Sequence, residues 1–498
     1  MITSLFLDAL PALWRRLCAL AERSAAYRLL RRLYHLLRGL LQESLLWALL
    51  TRQPRSASSG RLRSAVTRWL HAIGRRLHLA EALDGRRWKT LDFAALSGAG
   101  VLLMYLCPAA RWNNRYALAF ALGLLLVLLL LLASNRRSLL SAREIGFGFL
   151  LFLTVSLNGI AAAQDVPEAL RVFAFYLTAY LLALTLACGL SDRQKLQKFL
   201  GFVYLTVLCT GAYAIWQRIV GVPVNSSQTD LVANAGMPGR VYSTMENPNN
   251  FAELLVMLLP LAFAWTTMLP RRRTRLTATL LLSVPLAALL MTYSRSGWIS
   301  FALAVLVMLF FCQKRMLPLL ALAAVLALPL LPGTILRRIL TIGSASDSSN
   351  RYRVYIWQGT LRLLRRFGLT GVGFGPGNFH PVYTLFCGGH AQEAQHAHML
   401  YLELWAELGI GGLLAFLAFH FGLLRRAVLR KSRAKGGVRM TLIAAAAALT
   451  GISFSFAVEY VWFYPRDLFC YFLLAGVTLA AARLAETDSP QATIQQKE

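Results

Sequence analysis

Long apolar runs separated by short polar segments fill the chain from residue 91 onward. A run of about 20 apolar residues is long enough to cross a bilayer as a helix, whereas a barrel strand would alternate between apolar and polar residues. The pattern predicts an all-α, polytopic membrane protein with about 12 transmembrane helices. The predicted spans are 91–108, 115–133, 145–163, 169–190, 197–220, 251–269, 275–293, 297–312, 316–332, 398–424, 440–458 and 464–483.

Residues 1–90 form a different region, because they are strongly basic and their apolar residues recur at helical spacing. They contain 17 Lys or Arg against five Asp or Glu. We expect amphipathic helices on the cytoplasmic membrane surface, where basic faces meet anionic lipid. The predicted organisation is therefore this N-terminal region, a transmembrane domain over residues 91–483, and a polar cytoplasmic tail over residues 484–498.

The basic residues favour one orientation of the predicted spans. If the N-terminus is cytoplasmic, the outer loop 161–168 is acidic, whereas the inner loops are basic. Cytoplasmic loops carry an excess of Lys and Arg, so this alternation predicts that both termini are cytoplasmic. The predicted inner loops are 134–144, 191–198, 270–275, 313–315 and 425–439.

Composition narrows the class of partner. The formal net charge is +30, from 52 Lys or Arg and 22 Asp or Glu. Because this charge is spread between apolar spans, it favours contact with membrane lipid and argues against a nucleic-acid partner. The seven cysteines are scattered and form no CxxC pair, which predicts small buried side chains and no disulfide framework.

Two predicted outer loops, 221–250 and 333–397, are much longer than the others. The second lies between predicted spans 9 and 10 and contains seven Arg but only two acidic residues. Loops of this length with their own patterning are usually functional. The segment 357–367 within it has the spacing of an amphipathic helix that lies along the outer membrane face.

Basic side chains that are far apart in sequence are predicted to meet on this outer face. Guanidinium groups make paired, charge-assisted hydrogen bonds with phosphate, and a neutral imidazole can accept a proton from a hydroxyl. The cluster therefore suits a diphosphate, although each member also has a structural alternative in helix capping, snorkelling or solvation. Its members are Arg240, Arg295 in TYSRSGW, Arg351 and Arg353 in NRYRVY, and His398 at the start of a span.

A metal site is the competing interpretation of the His-rich segment. His390, His396, His398 and Cys387 are ligand types that suit zinc, but their spacing matches no standard pattern. We therefore predict that no metal is bound there. The nearby GVGFGPG (371–377) lacks the Lys of a phosphate-binding loop and is expected to supply turns.

At these residues the chain resembles the O-antigen ligase and polymerase family of bacterial membrane glycosyltransferases. The resemblance extends over roughly residues 91–483, and the number and order of the spans fit the family. The family's usual Asn after the His is Met399 here. Four segments carry the resemblance: RVYSTMENPNNFA (240–252), YSRSGW (293–298), RYRVYIWQGTLRLL…GLTGVGFGPGNF (351–379) and HAHMLYLELWAELGIGGLLAF (396–416).

The resemblance implies a GT-C-like domain that transfers a glycan from undecaprenyl diphosphate to an acceptor at the outer face of the bacterial cytoplasmic membrane, with no metal or cofactor. His398 would orient or deprotonate the acceptor hydroxyl. Arg240 and Arg295 would bind the diphosphate and stabilise it as it leaves. The implied substrate-binding residues are Arg351, Arg353, Asn249 and Trp357.

Several alternatives stay open at this point. A polymerase would extend another lipid-linked glycan, whereas a ligase would deliver the chain to a lipid, wall polymer or protein, and the sequence does not separate them. A flippase for lipid-linked oligosaccharide is the rival class. It is expected to carry charge at membrane depth and often to have two similar halves, which this sequence does not show. A structural scaffold leaves the clustered arginines unexplained.

Overall fold

The structure, a computed structural model, describes residues 69, 72–78, 92–133, 145–224, 236–327, 329, 332–340 and 348–487. Within these residues the chain is helical and contains no strand, which confirms the predicted all-α class. The predicted N-terminal region, the tail and the inner loop 134–144 fall almost entirely outside the described residues, as do parts of both long loops.

Seventeen α-helices have defined bounds between residues 93 and 487 of the described chain. The first nine are α1 (Phe93–Leu106), α2 (Asn114–Ala133), α3 (Phe147–Val155), α4 (Asn158–Ala161), α5 (Val166–Gly189), α6 (Arg193–Val220), α7 (Pro248–Thr266), α8 (Arg272–Leu281) and α9 (Ser283–Met291). The others are α10 (Arg295–Gln313), α11 (Leu317–Ala327), α12 (Gly333–Leu340), α13 (Ser348–Phe367), α14 (Pro376–Thr384), α15 (Leu400–Arg430), α16 (Gly436–Phe456) and α17 (Pro465–Thr487).

Nine helical segments in the described part of the chain are long and apolar enough to cross a membrane. The shorter apolar segments Phe93–Leu106 and Phe147–Ala161 add to them. Every predicted span overlaps one or more of these helices, and the prediction of a polytopic membrane protein is confirmed. The number of spans stays a prediction, because α10 and the start of α11 form one continuous apolar segment, Arg295–Leu322.

Contacts on either side of α10 and α11 show that the chain reverses between them. The Tyr293 hydroxyl lies 3.4 Å from Oγ1 of Thr334, and Nε of Arg338 donates to the carbonyl of Tyr293 at 3.2 Å. Helix α10 carries the chain away from Tyr293 by about 1.5 Å per residue, so the chain after Gln313 must return over a similar distance. The start of α10 and helix α12, with which the long loop 333–397 begins, therefore lie at one end of the bundle.

Helices α7 and α17 form the centre of the bundle. Of the apolar window of α17, 94% is buried inside the protein, and of that of α7, 83%, against 22% for Arg295–Leu322. Both begin with a proline, which fits the first helical position because its missing N–H would have no partner there. Polar residues in these first turns are thus held at the middle of one end of the bundle.

The Gly-rich loop 371–377 packs into a kink in α15. The backbone N–H groups of Val372 and Gly373 donate to the carbonyls of Ala406 and Glu407 at 2.8 and 3.1 Å. Gly409 breaks the helix there with a φ of 72°, and a Cβ at this position would lie 2.2 Å from the carbonyl oxygen of Leu369. The loop supplies turns, as predicted, and the ELGIGG segment of α15 is shaped to receive it.

Glu403 and Glu407, the two acidic residues near the start of α15, are buried and hold backbone groups. Glu407 accepts a hydrogen bond from the N–H of Gly375 at 2.8 Å, and Glu403 accepts one from the N–H of Ala397 at 2.5 Å. A buried backbone N–H group needs a hydrogen-bond acceptor, and each carboxyl group supplies one here. These contacts fix the Gly-rich loop and the segment before α15 that carries His398.

We expect Gly409→Ala to destabilise the protein, because alanine would have to adopt a positive φ and its Cβ would meet the Leu369 carbonyl. A non-glycine residue strained in this way costs about 1–3 kcal/mol before the clash is counted. The matched control is Gly422→Ala in the same helix, where a Cβ would meet no atom within 4 Å. Thermal unfolding in detergent should show a lower midpoint for the first variant only; equal midpoints would contradict the packing described above.

Candidate active site

The turn between α9 and α10 anchors two arginines that come from separate segments. The carbonyl oxygen of Thr292 accepts a hydrogen bond from Nε of Arg240 at 2.8 Å, and that of Tyr293 accepts one from Nε of Arg338 at 3.2 Å. Both arginines are almost fully buried, with 8% and 6% of their surface exposed. Tyr293 has a positive φ of 51°, which is uncommon for an aromatic residue. The turn thus holds two guanidinium groups in place through their Nε atoms.

The same turn starts α10 with a third arginine. Oγ of Ser294 caps the helix by accepting a hydrogen bond from the N–H of Gly297 at 3.3 Å. Arg295 is the first residue of α10, and its Nη2 donates to Oδ1 of Asn350 at 3.1 Å. A cation at a helix N-terminus opposes the helix macrodipole, so this position becomes favourable when an anion lies beside it.

A hydrogen-bonded network around Glu459 joins four segments of the chain. Oε1 of Glu459 accepts from Nη2 of Arg353 at 2.5 Å and from Nδ2 of Asn249 at 2.9 Å. Oδ1 of Asn249 accepts in turn from Nη2 of Arg240 at 2.6 Å. The Glu459 carbonyl accepts from the N–H of Leu400 at 3.1 Å. The network ties the beginnings of α7 and α15 to α13 and to the segment before α17.

His398 lies just before α15 in a strained conformation, with a φ of 49°. Its backbone N–H donates to Nδ1 of His396 at 3.1 Å, so a neutral His396 carries its proton on Nε2. Nδ1 of His398 is buried and has no hydrogen-bond partner in the described residues. Burial, with a smaller contribution from the charge of Arg353, lowers the pKa of His398 to about 4. Its imidazole is therefore neutral at pH 7.

These side chains line one cavity of about 750 Å³. Small-molecule sites usually occupy about 300–1,000 Å³. The lining includes the first turns of α7 and α10 and residues that directly precede α15 and α17. Helix N-termini favour anions through their N–H groups and the macrodipole. The charged and imidazole side chains in the lining are Arg240, Arg295, Arg338, Arg353, Glu246, Glu253, Glu459, His396 and His398.

The arginines are close enough to repel each other. Burial lowers the pKa of Arg240 to about 9, and the charges of Arg338, Arg353 and Arg295 add to this lowering, whereas Glu459 opposes it. Arg240 remains charged at pH 7. Like charges in a partly dry site raise the free energy of the empty cavity, and an anionic ligand relieves that repulsion. The electrostatics of this end of the bundle therefore favour a multiply charged anion.

The structure places five of the seven predicted site residues in the cavity lining: Arg240, Asn249, Arg295, Arg353 and His398. The other two predicted residues lie on α13 and are absent from that lining. Arg351 is exposed, and the indole N–H of Trp357 is buried without a hydrogen-bond partner in the described chain. Their predicted roles in substrate binding stay predictions that no cavity contact supports.

Among the residues of the lining that sequence reasoning missed are Arg338, Glu459 and His396. Arg338 follows Arg337 in an amphipathic segment, and only the fold shows which of the two turns inward. Glu459 follows a predicted span, where an ionisable residue is a weak functional signal. The sequence analysis includes His396 only as a possible metal ligand, although the HAH pattern (396–398) places two imidazoles on one short turn. Their ring centroids are 4.1 Å apart.

The residues considered as zinc ligands do not converge. The Cys387 thiol is buried in an apolar cluster and lies 3.3 Å from the carbonyl of Thr384, while His390 stacks on Tyr355. Across the described part of the chain, no group of three or more His, Cys, Asp or Glu side chains is placed to hold a metal ion. The groups that the cavity itself offers are guanidinium, imidazole, carboxyl, amide and hydroxyl.

We expect Glu459→Ala to lower the thermal unfolding midpoint, because Arg353 and Asn249 would lose a shared acceptor in a largely buried position. Leaving such donors unsatisfied costs about 1–3 kcal/mol. The control is Glu486→Ala, which removes the partner of Arg430 at the far end of α15. That carboxyl is 43% exposed, so its loss should cost about 0–1 kcal/mol. Equal shifts in the two midpoints would show that the network around Glu459 does not join the helix ends.

Residues 254–417 match the family model described as O-antigen ligase. The matched segment contains the turn of Arg295, the long loop and the start of α15 with His398. No curated protein matches the chain. A solved chain described as "Structural coordination of polymerization and crosslinking by a peptidoglycan synthase complex" is 17% identical with a TM-score of 0.42, over 68% of this chain and 97% of that chain. The match over residues 254–417 supports the resemblance to O-antigen ligases that the motifs of this integral membrane protein predicted.

Proposed function

We propose that this protein transfers a glycan from undecaprenyl diphosphate to an acceptor hydroxyl at the outer face of the bacterial cytoplasmic membrane. The family match supports an O-antigen-ligase-like role in the assembly of cell-surface polysaccharide. The observation that carries the finer proposal is the cavity itself, which Arg240, Arg295, Arg338 and Arg353 line together with His398 at one end of an apolar helix bundle. A lipid-linked diphosphate matches that position, because its tail belongs in the bilayer and its headgroup at the interface.

The orientation follows from the charge of the opposite end of the bundle. Helix α10 runs from the cavity to Lys314 and Arg315, and α15 runs from the cavity to Arg430. The predicted inner loop 270–275 holds four more arginines. Cytoplasmic ends of spans carry such residues in excess, which supports a cavity that opens to the outside.

The arginines would bind the diphosphate and stabilise it as the leaving group. When the bond between the anomeric carbon and the phosphate oxygen breaks, its electron pair moves onto that oxygen. Guanidinium groups already fixed by Thr292, Tyr293 and Asn350 would meet this charge without reorganising. Direct displacement by the acceptor oxygen inverts the anomeric centre, which agrees with what the family resemblance implies.

His398 would orient the acceptor hydroxyl and take its proton. A neutral imidazole has a lone pair for this purpose, and burial keeps His398 neutral. A base with a pKa of about 4 is weak, but an arriving diphosphate would oppose the charge of Arg353 and raise the pKa of His398. The donor would thus strengthen the base that the second substrate needs.

We expect Arg295→Ala and His398→Ala each to reduce glycan transfer by about 10²–10³-fold or more, because each removes a preorganised group from the reacting centre. Arg353→Ala should also lose activity, whereas Arg365→Ala, which changes an exposed arginine of the same helix outside the cavity lining, should stay within about twofold of wild type. Transfer is measured with purified protein after membrane accumulation has been checked by immunoblot. Wild-type turnover by Arg295→Ala and His398→Ala would refute the proposed site.

The pKa of His398 should respond to the charge of Arg353 and to an anion bound in the cavity. Arg353 lowers this pKa, so Arg353→Gln should raise it above about 4, and Arg351→Gln should leave it unchanged. Adding pyrophosphate to the wild type should also raise it, because an anion stabilises the imidazolium. The measurement is an NMR titration of labelled histidine, with His398→Gln used to assign the signal. A His398 pKa that pyrophosphate leaves unchanged would argue against a diphosphate in this cavity.

Incubation of the purified protein with undecaprenyl-diphosphate glycan, with and without a second acceptor, tests the reaction as a whole. A ladder of lengthening lipid-linked products identifies a polymerase, and one discrete product on the second acceptor identifies a ligase. The acceptor is thus another lipid-linked glycan, a lipid or a wall polymer. Movement of unmodified lipid-linked glycan across reconstituted vesicles, with no transfer product, would instead identify the flippase alternative.

A further inference from the structure

A second cavity of about 400 Å³ lies between α10, α15 and α16, together with the first residue of α11. Of the described residues that line it, only Thr450 has a polar side chain, and its hydroxyl donates to the carbonyl of Ala446 at 2.9 Å. Leu306 and Phe310 in the lining are half-exposed, so the cavity opens at the side of the bundle. This cavity, called the apolar groove below, therefore suits an apolar occupant.

The apolar groove runs toward the end of the bundle that is opposite to the candidate active site. Helix α10 begins at the active-site cavity with Arg295, and its contribution to the groove spans residues 303–311. At about 1.5 Å per residue this span is about 12 Å long. One leaflet offers a hydrocarbon depth of about 15 Å, which is half of the bilayer core. The groove thus has the length and the chemistry of a site for an acyl chain from the leaflet at the opposite end.

A lysine marks the far end of the groove. Nζ of Lys431 lies 4.2 Å from the centroid of the Phe311 ring, and Phe311 belongs to the lining. Lys431 directly follows α15 and is partly buried. A cation over an aromatic ring is stabilised electrostatically by the ring. The ammonium group is therefore held where the headgroup of a lipid in the groove would lie.

Further basic residues come from the two segments that flank this end. Sγ of Cys312 and Sδ of Met440 lie 3.9 Å apart, which brings the start of α16, with Arg439, beside the end of α10. Segments 313–317 and 431–440 together contain six Lys or Arg and no Asp or Glu. Each such cation near a membrane surface attracts anionic lipid by about 1 kcal/mol. The far end of the groove is therefore complementary to a negatively charged headgroup.

The charge of the chain argues against other occupants. Residues 1–90 contain 17 Lys or Arg against five Asp or Glu, and the whole chain has a formal net charge of +30. The N-terminal region or a second copy of the chain would bring more positive charge to a basic end and be repelled. Residues 488–498 are polar and contain no apolar run that could fill the groove.

We propose that the apolar groove binds one acyl chain of an anionic phospholipid, whose phosphate lies against Lys431 and Arg439. This lipid site is independent of the proposed function, because the two cavities share no lining residue. A lipid bound there would join the far ends of α10, α15 and α16. The other ends of α10 and α15 carry Arg295 and His398 at the candidate active site.

The test uses the purified full chain in detergent, with phosphatidylglycerol and phosphatidylcholine that carry the same acyl chains. Native mass spectrometry resolves the lipid-bound species and gives an apparent affinity for each lipid. We expect wild type to bind phosphatidylglycerol at least about tenfold more tightly, and Lys431→Gln/Arg439→Gln to reduce this preference to less than about threefold. The control is Arg272→Gln/Arg273→Gln, which changes two exposed arginines beyond the end of α7, outside the lining, and should keep the preference.

A second pair of variants tests the groove itself and does not depend on the basic residues. Val428→Trp puts a larger side chain into the lining and should weaken phosphatidylglycerol binding by about tenfold or more, because the acyl chain loses its space. Leu429→Trp changes an exposed neighbour outside the lining and should leave the affinity within about twofold of wild type.

Equal affinity of wild type for the two lipids would overturn the proposed site, as would a preference that survives Lys431→Gln/Arg439→Gln. Displacement of phosphatidylglycerol by inorganic phosphate alone would reveal an anion site that does not use the groove, and would also overturn it. A lipid-free dimer that Val428→Trp dissociates would assign the groove to a second copy of the chain instead.

Discussion

The site depends on the confinement of several guanidinium groups at one end of an apolar helix bundle. Arginine cannot lose its charge at neutral pH, so each buried group requires an acceptor and a fixed direction. Carbonyl groups of the turn at Thr292 and Tyr293 hold two of them, and Glu459 holds a third. The turn therefore fixes positive charge in the cavity before a substrate binds, as the ligands of a bound metal ion do in other sites.

This requirement explains where the backbone is strained. Tyr293, Ser243 and His398 have φ values of 51°, 54° and 49°, although none of them is a glycine. Strained residues persist where the surrounding structure fixes them, and they concentrate at functional sites. Tyr293 lies in the turn that anchors the arginines, and His398 lies in the turn that presents the imidazole. Buried contacts such as that between Glu403 and Ala397 hold the second of these turns in place.

Much of this arrangement could be predicted from the sequence, because apolar runs and the positive-inside pattern set which segments share a membrane face. This pattern was enough to predict that four residues meet on one membrane face: Arg240, Arg295, Arg353 and His398. It could not choose between Arg351 and Arg353, because both are arginines in one amphipathic helix and only the packing of α13 decides which of them faces Glu459. The sequence could not indicate the role of Glu459, because that role depends on Arg353, which is more than 100 residues away in sequence.

The arrangement of charged side chains in the cavity bears on how the two proposed substrates would be positioned. The electrostatic partners of Arg240 include Arg338, Arg353 and Arg295. Asn249 accepts a hydrogen bond from Arg240, and Glu459 accepts one from Arg353. The proposed diphosphate would be attracted to the arginines, so charge would set its position before any sugar contact forms. The proposed acceptor hydroxyl would then have to reach the anomeric carbon from the side opposite the leaving oxygen, which is the geometry that direct displacement requires.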